Sequence, residues 1–370
     1  MKLIRCILKK GIHGGGEKMK LLKEITNKDA GFPDKKVKYT TREAARAVLF
    51  RKGKVAILYV SKHKYHKIPG GGIKKGEDAR KGLERELLEE TGCKANITGE
   101  AGKIIEYKDD RKKKQVSCCF LAEATDKGKK QHFTGLEKSQ GFILKWMKLD
   151  DAIAKISKDK PTTYDGRFIT IRDAIFLKRA KALLEIENER FHGIEKRIAS
   201  ILKESRVEED AEHSKITRKW ILKLKKNAGE ELQIAALAHD IDRAVKPRTR
   251  MRNGESYEKY KIRHSKRSAR ITADLMKECG YDNISIGKTR KFIEKHESGG
   301  DPESDLLRDA DSIAYFDYNI GFYLRREGAE RTKKKINFMY LRASERARKR
   351  IRKIRFAASV RKVFNEAVKK

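Results

Sequence analysis

Apolar and polar positions follow a strand pattern in the first part of the chain and a helical pattern in the second. The predicted strands are residues 44–50, 54–60, 116–122 and 142–147. The first two are apolar runs on either side of Lys52-Gly53, which predicts a β-hairpin. Helical periodicity appears near residues 150–156 and 168–184, and it continues from residue 194 onward. The pattern therefore predicts an α/β domain followed by an all-α domain.

Residues 71–93, with the sequence GGIKKGEDARKGLERELLEETGC, predict a glycine-rich loop followed by a charged helix. The apolar stripe of this helix is Ala79, Leu83 and Leu87. Glu86, Glu89 and Glu90 stand at i, i+3 and i+4, so their carboxylates share another face. Three carboxylates at this short spacing repel one another unless a cation lies between them. Hard oxygen ligands suit Mg²⁺ or Mn²⁺, which also bind phosphate oxygens.

The residues around this helix extend the prediction. Gly70-Gly71-Gly72 allow a tight backbone fold, and Gly71 offers a carbonyl oxygen to the metal. Glu77 and Arg85 are about two helical turns apart, so we expect an ion pair that braces the loop against the helix.

The spacing Gly71-x5-Glu77-x7-Arg85-Glu86-Leu87-x-Glu89-Glu90-x-Gly92-Cys93 resembles the Nudix box, with Cys93 in a position that is usually aliphatic. The resemblance implies an α/β/α sandwich with a mixed sheet over residues 19–185. It also implies hydrolysis of a pyrophosphate bond in a nucleoside diphosphate linked to another group, or in a nucleoside triphosphate. Catalysis would depend on Glu86, Glu89 and Glu90 as metal ligands, with Glu137 as the candidate general base. The expected substrate contacts in this half are Arg85, Tyr65 and Phe142.

A second group of chemically competent residues is scattered through the helical half. It comprises His213, His239, Asp240, His264, His296 and Asp311. His239-Asp240 ends the apolar run 232–238, where imidazole and carboxylate meet in surroundings of low dielectric constant. Neutral imidazoles with carboxylates suit Mn, Fe, Zn or Mg, and the residues leave the choice open.

The order His…His-Asp…His…His…Asp resembles the HD superfamily of metal-dependent phosphohydrolases over residues 194–330. The resemblance implies a basic ligand set of His213, His239, Asp240 and Asp311, in which Asp240 is also catalytic. His264 and His296 occur where two-metal members of the superfamily place extra ligands, so one or two metals are expected. The basic residues that follow, Arg243, Lys246, Arg248 and Arg250, are candidate phosphate contacts, with Arg243 foremost.

Three segments lie outside these two regions. Residues 186–193 are polar and are predicted to be a linker. Residues 331–370 contain sixteen Lys or Arg and two acids, and they are predicted to be a basic helical segment that either docks through Met339, Leu341, Ile351, Ile354 and Phe356 or grips a nucleic-acid backbone. Residues 1–18 are expected to be a non-native or disordered extension, because the codons for Gly14-Gly15-Gly16-Glu17-Lys18 can spell a ribosome-binding sequence ahead of a start at Met19.

Composition and net charge limit the kinds of partner and the cellular compartment that we expect. The chain has 370 residues and a formal net charge of +38, which favours anionic partners unless it reflects a lysine-rich proteome. Five cysteines without a CxxC pair indicate a reduced, cytoplasmic chain without a structural zinc. The sequence contains no run of about 18 apolar residues, so no membrane span is predicted.

We therefore expect a bifunctional hydrolase that acts on a nucleotide-type phosphorylated small molecule, and an oligomer is possible. The resemblance to the HD superfamily implies that the helical half hydrolyses a phosphomonoester or nucleotide phosphate. Two alternatives stay open: a nucleotide-sensing Nudix-like module that regulates an HD effector, and an RNA-associated protein that uses the basic segment.

Overall fold

The computed structural model describes residues 19–126, 128, 130–247 and 249–368. The expected extension at residues 1–18 lies outside this part of the chain. The chain forms two compact units that divide between Asn188 and Glu189. Within the described part of the chain, we call residues 19–188 the sheet unit and residues 189–368 the helical unit.

The sheet unit is built on eight strands. They are β1 (Leu21–Ile25), β2 (Thr40–Arg51), β3 (Lys54–Val60), β4 (Tyr65–Lys67), β5 (Gly70–Gly72), β6 (Ala95–Lys108), β7 (Lys113–Ala124) and β8 (Phe142–Met147). The strand order is β1-β6-β7-β2-β3-β4, with β5 paired to β2 and β8 paired to β3. The β2–β7 and β1–β6 pairs are parallel and the others are antiparallel, so the sheet is mixed as expected.

The predicted hairpin is confirmed between β2 and β3, where Phe50 pairs with Val55 and Arg51 with Lys54. Lys52 and Gly53 both have positive φ, 49° and 76°, as a two-residue hairpin turn of the primed type requires. The predicted strands at 116–122 and 142–147 lie within β7 and β8.

Helices cover both faces of the sheet. They are α1 (Ala79–Thr91), α2 (Gly135–Ser139), α3 (Leu149–Lys158) and the first part of α4 (Tyr164–Leu202). Leu83 and Leu87 of α1 pack with Ala45, Ala47 and Leu49 on one face of the sheet. On the other face, Val48 and Phe50 pack with side chains of α3 and α4 such as Ile156 and Phe176. Alternate side chains of β2 thus pack into two separate hydrophobic cores, one on each face of the sheet, which gives an α/β/α layering.

The helical unit takes the second part of α4 and eight further helices. They are α5 (Asp210–Leu224), α6 (Glu230–Ala238), α7 (Tyr257–Glu278), α8 (Asn283–Glu294), α9 (Pro302–Ala314), α10 (Ile320–Leu341), α11 (Glu345–Ile351) and α12 (Ala358–Val368). A π-helical turn at Tyr315–Asn319 joins α9 to α10. None of the described helices combines the length and apolar composition needed to cross a membrane.

The linker prediction is wrong, whereas the docking prediction for residues 331–370 is confirmed at four of its five named residues. Residues 186–193 lie inside α4 and are helical. Charged residues on the surface of a helix do not interrupt it, and the segment contains no proline. Residues 331–368 belong to the core of the helical unit through α10, α11 and α12, with Ile336, Met339 and Ile351 buried. Ile354 and Phe356 pack against this core as expected, but Leu341 is 67% exposed, so its docking prediction is wrong.

Candidate functional site

Helix α1 begins and ends at well-defined caps. Asp78 accepts hydrogen bonds from the backbone N–H groups of Arg80 (2.9 Å) and Lys81 (3.2 Å), and Gly92 ends the helix with φ 70°. Leu83 and Leu87 are fully buried. This orientation leaves Glu86 and Glu89 on the partly exposed side of the helix.

Arg85 ties the loop to the helix, as the sequence predicts. Its Nε and Nη2 donate to the two carboxylate oxygens of Glu77 at 3.1 and 3.2 Å, and Nη2 also donates to the Gly72 carbonyl at 3.2 Å. Its Nη1 lies 2.7 Å from Glu86 Oε1 and 3.5 Å from Glu89 Oε2. The hydrogen bond from Arg85 holds the pKa of Glu77 at about 2. Because each of its nitrogens donates within the box, Arg85 positions two of the candidate ligands.

Glu86 lies directly against strand β5 at Gly71. A Cβ atom added to Gly71 would overlap the carboxylate of Glu86, so only glycine allows this approach. Arg85 links the same carboxylate to the Gly72 carbonyl, because its Nη1 donates to Glu86 and its Nη2 to Gly72. Carboxylate and carbonyl oxygens are the hard donors that a small divalent cation prefers.

Glu90 turns toward the interior instead. Its Oε1 lies 2.7 Å from Lys67 Nζ and its Oε2 accepts the Gly70 N–H at 2.6 Å. Burial raises the pKa of Glu90, while Lys67 and the Gly70 N–H oppose that rise. Arg46, also buried, donates to the carbonyl of the same Gly70. Sequence reasoning missed Lys67 and Arg46, since both stand in strand patterns that carry no chemical signature.

The box glutamates therefore face two directions. Glu86 and Glu89 point to Arg85, whereas Glu90 points to Lys67. Among the described residues, the groups of three His, Cys, Asp or Glu whose ligand atoms lie within 4.8 Å of one another do not include these glutamates. The donor set is nevertheless all carboxylate and carbonyl oxygen, which fits Mg²⁺ or Mn²⁺.

The helical unit brings all six predicted His and Asp residues together. His213, His239 and Asp311 form one group and Asp240, His264 and His296 form a second, each with ligand atoms within 4.8 Å of one another. The imidazole rings of His213 and His296 have centroids 5.3 and 5.2 Å from that of His239, so the two groups adjoin.

Ion pairs define the first group. His213 Nε2 lies 2.9 Å from Asp311 Oδ1, and His239 Nε2 lies 3.6 Å from the same oxygen. Arg342 binds the other carboxylate oxygen of Asp311 and lies 2.6 Å from Glu297. Burial would raise the pKa of Asp311, but Arg342 and His213 hold it well below its ordinary value.

The second group centres on Asp240. Its Oδ1 lies 2.8 Å from His264 Nε2, and its Oδ2 lies 2.8 Å from Arg243. The other ring nitrogen of His264 contacts Asp242, and these two carboxylates outweigh burial and raise the pKa of His264 to about 9. Arg243 also binds Asp210 at 3.2 Å. Arg243, which is expected to contact phosphate, thus already pairs with two carboxylates, Asp240 and Asp210.

Backbone hydrogen bonds orient two of the imidazoles. His239 Nδ1 lies 3.0 Å from the Ala236 carbonyl and His296 Nδ1 lies 2.7 Å from that of Ile293, which leaves each Nε2 directed away from the backbone. His239 Nε2 is buried and has no hydrogen-bond partner among the described residues. An orphaned, oriented imidazole nitrogen beside two carboxylates fits a divalent metal of the Mn, Fe, Zn or Mg type.

Family models match two separate parts of the chain. Residues 40–166 match the model described as NUDIX domain. This region is a Nudix domain. Residues 190–364 match a model described as "Domain of unknown function (DUF4202)", which assigns no chemistry to the helical unit. The resemblance to the HD superfamily therefore stays a prediction. No curated protein matches the chain.

Solved structures similar to this chain include three hydrolases. An ADP-ribose pyrophosphatase from Streptococcus suis is 16% identical over 38% of this chain and 92% of that one, with a TM-score of 0.28. The Ap4A hydrolase of C. elegans is 19% identical over 39% and 99%, with a TM-score of 0.29. A NUDIX hydrolase from Nitrosomonas europaea is 15% identical over 36% and 88%, with a TM-score of 0.28.

The remaining predicted residues of the Nudix domain have mixed locations. Tyr65 is 5% exposed in β4, so its ring is buried and does not offer a face to a nucleobase. Phe142 is partly exposed in β8, with Lys67 Nζ 5.0 Å from its ring centre. Glu137 is partly exposed in α2, where its carboxylate accepts the Thr134 N–H at 2.8 Å in a capping box. Its role as a base stays a prediction.

Sequence reasoning missed three residues that contact the predicted ligands of the helical unit: Asp242, Glu297 and Arg342. The sequence gives a hint of the first two, because Asp242 stands two positions after Asp240 and Glu297 directly follows His296. Arg342 directly follows α10 as its C-cap residue, far from any motif. Arg248 lies outside the described residues.

Proposed function

We propose that the Nudix domain hydrolyses a pyrophosphate bond in a nucleoside diphosphate derivative, with Mg²⁺ or Mn²⁺ held by Glu86, Glu89 and Glu90 and the Gly71 carbonyl. The observation that supports the proposal is the close approach of the Glu86 carboxylate to Gly71, where an added Cβ atom would overlap Glu86 Oε2. A bound divalent cation would neutralise phosphate oxygens and lower the pKa of the attacking water.

The chain's own residues have distinct roles in this proposal. Arg85 fixes the carboxylates of Glu86 and Glu89 through Nη1. Lys67 neutralises Glu90 until a cation binds, because an ammonium 2.7 Å away offsets the cost of burying that carboxylate. Phe142 offers an apolar ring at the edge of the same region, and Glu137 is the candidate proton acceptor.

A substrate panel tests this function. Wild type, Glu86→Gln and Glu89→Gln are incubated with ADP-ribose, UDP-glucose and dinucleoside tetraphosphates in Mg²⁺ or Mn²⁺, and products are identified by mass. Glu84→Gln is the matched control, because Glu84 is an exposed carboxylate on the same helix. We expect cleavage by wild type and Glu84→Gln, with a loss of at least a hundredfold in the other two. Binding of a nucleotide without turnover by wild type would favour the sensing alternative instead.

For the helical unit we propose metal-dependent hydrolysis of a phosphate ester. Two adjoining groups of His and Asp, each with ligand atoms within 4.8 Å, support it. His213, His239 and Asp311 would hold one metal and Asp240, His264 and His296 a second. The metal would supply charge neutralisation at the phosphoryl group, while Arg342 and Arg243 keep both aspartates ionised.

Metal content tests this second proposal without assuming a substrate. We expect bound Mn²⁺, Fe²⁺ or Zn²⁺ in wild type, measured by elemental analysis after dialysis, and a loss of at least one equivalent in Asp311→Asn and in His239→Ala. Asp274→Asn is the matched control, because Asp274 is exposed on α7. Equal metal content in all four proteins, with unchanged circular dichroism, would contradict the proposal.

A further inference from the structure

A polar cavity of about 140 Å³ adjoins the His and Asp groups of the helical unit. His213, Asp240 and Asp311 form part of its lining. The rest of the lining includes Tyr315, Asn319 and Lys335, which belong to none of the predicted motifs. These residues come from the π-helical turn and from α10.

Apart from the His and Asp groups, two buried polar atoms of the lining lack a partner among the described residues. The Tyr315 hydroxyl and the Asn319 Oδ1 are buried, and neither has a hydrogen bond to the part of the chain that the structure describes. Buried polar groups in proteins are almost always hydrogen-bonded, so such a pair calls for a ligand or water. The side-chain amide of Asn319 can present either its oxygen or its NH₂ group by a 180° rotation.

Lys335 differs from the other cations of the cavity. Arg243, Arg326 and Arg342 all bind carboxylates. Within the described residues, Lys335 Nζ has neither an ion pair nor a hydrogen bond; its nearest aromatic neighbours are the rings of Phe338, at 5.4 Å, and Tyr315, at 5.9 Å. Burial, together with Arg342 and Arg243, lowers its pKa to about 8, so the ammonium is still mostly protonated at neutral pH.

The local backbone explains why these groups converge. The turn Tyr315–Asn319 is π-helical, and its first and last residues, four positions apart, both line the cavity. Single π-helical turns inside helical segments are rare and occur frequently at functional sites.

With metals bound, the charge of the lining would favour an anion. The lining has five carboxylates (Glu209, Asp210, Asp240, Glu297 and Asp311) and four cations (Arg243, Arg326, Lys335 and Arg342). The lining alone is therefore close to neutral, with one more carboxylate than cations, and one or two divalent metals would make it positive. A phosphate dianion has the size, charge and acceptor oxygens to pair with one ammonium, one hydroxyl and one amide donor.

We propose that Lys335, Tyr315 and Asn319 form a binding site for a terminal phosphate group, so that the helical unit takes phosphate monoesters or free phosphate. This inference rests on the function proposed for the helical unit and assigns the residues that bind the phosphate of its substrate. Lys335 supplies the charge, and the hydroxyl and amide fix the orientation of the phosphate oxygens.

Calorimetric titration of the full-length chain tests this site. Inorganic phosphate and AMP are titrated separately, with and without Mn²⁺, into wild type, Lys335→Met and Tyr315→Phe. Lys334→Met is the matched control, because its side chain is exposed on the same helix. We expect Lys335→Met to weaken the binding of inorganic phosphate at least tenfold and Tyr315→Phe to weaken it several-fold, with Lys334→Met unchanged. Tighter binding of AMP than of phosphate would identify the ester as the preferred source.

Wild-type affinity for phosphate in both Lys335→Met and Tyr315→Phe would overturn the inference, as would no binding by wild type at millimolar phosphate. If Lys335→Met fails to fold by circular dichroism, Tyr315→Phe decides alone, since it removes only one oxygen. Turnover is scored separately. If phosphate binding depends on Lys335 but no ester is hydrolysed, this site stands and the proposed hydrolase function is wrong. If esters are hydrolysed but phosphate binding does not depend on Lys335, the hydrolase function stands and this site is wrong.

Discussion

Glu90 and Lys67 form a buried ion pair in the Nudix domain, with Glu90 Oε1 2.7 Å from Lys67 Nζ and both side chains less than a tenth exposed. The pair occupies the position where the box resemblance expects a metal ligand. A cation that binds Glu90 must therefore compete with an ammonium that is already in place.

Removing the ammonium should destabilise the Nudix domain. We expect Lys67→Met to lower its free energy of unfolding by about 3 kcal/mol, because an unpaired carboxylate is then buried. Trp146 and Trp220 are the tryptophans of the chain, so a Trp220→Phe background lets Trp146 fluorescence report on this domain during urea unfolding. Lys67→Met/Glu90→Gln should recover much of the loss. A shift below about 1 kcal/mol for Lys67→Met would show that the pair is not formed.

Adding one methyl group at Gly71 should displace Glu86. We expect Gly71→Ala to lower pyrophosphate-bond hydrolysis about a hundredfold, since its Cβ overlaps the Glu86 carboxylate and a shift of about 1 Å at a site costs about that much. Gly135→Ala is the control, because a Cβ there meets nothing within 4 Å. Full activity in a folded Gly71→Ala protein would rule out the role of this contact.

A glycine replacement in α4 tests whether residues 186–193 are helical in solution. A Cβ at Gly193 meets nothing within 4 Å, so Gly193→Ala should stabilise the helical unit by about 0.5–1 kcal/mol through helix propensity. Trp220 fluorescence in a Trp146→Phe background measures this during urea unfolding. A flexible linker would give no stabilisation.

Acid should weaken the Nudix domain through Glu106. Burial raises the pKa of this carboxyl, but Arg172 and Lys108 overcome it and lower the pKa to about 2 from an ordinary 4.5. A depressed pKa stabilises the folded state above pH 4.5, and that contribution, on the order of 3 kcal/mol, disappears as the pH falls toward 2. The stability difference between parent and Glu106→Gln should therefore shrink between pH 5 and pH 3.

Urea unfolding at several pH values, followed by Trp146 fluorescence, measures this difference. Glu43→Gln, an exposed carboxylate on β2, controls for the loss of one negative charge. A gap between parent and Glu106→Gln that stays constant down to pH 3 would contradict the lowered pKa.

Local patterns predicted the hairpin, the box helix and the Glu77–Arg85 brace, because each depends on residues near one another in the chain. The order of His and Asp residues predicted a group that the fold does bring together. Sequence reasoning missed the Glu90–Lys67 and Asp311–Arg342 pairs, which join residues 23 and 31 positions apart on different elements. Polarity at 186–193 suggested a break, yet polar residues are ordinary on a helix surface.

The central claim is that the chain carries two separate hydrolytic sites. Product analysis by mass for wild type, Glu89→Gln and Asp311→Asn, each with a nucleoside diphosphate derivative and a phosphate monoester in Mn²⁺, tests it most directly. The account predicts that Glu89→Gln loses only pyrophosphate-bond cleavage and that Asp311→Asn loses only phosphate release from the monoester. Loss of both activities in either folded variant, or of neither activity in both variants, would contradict it.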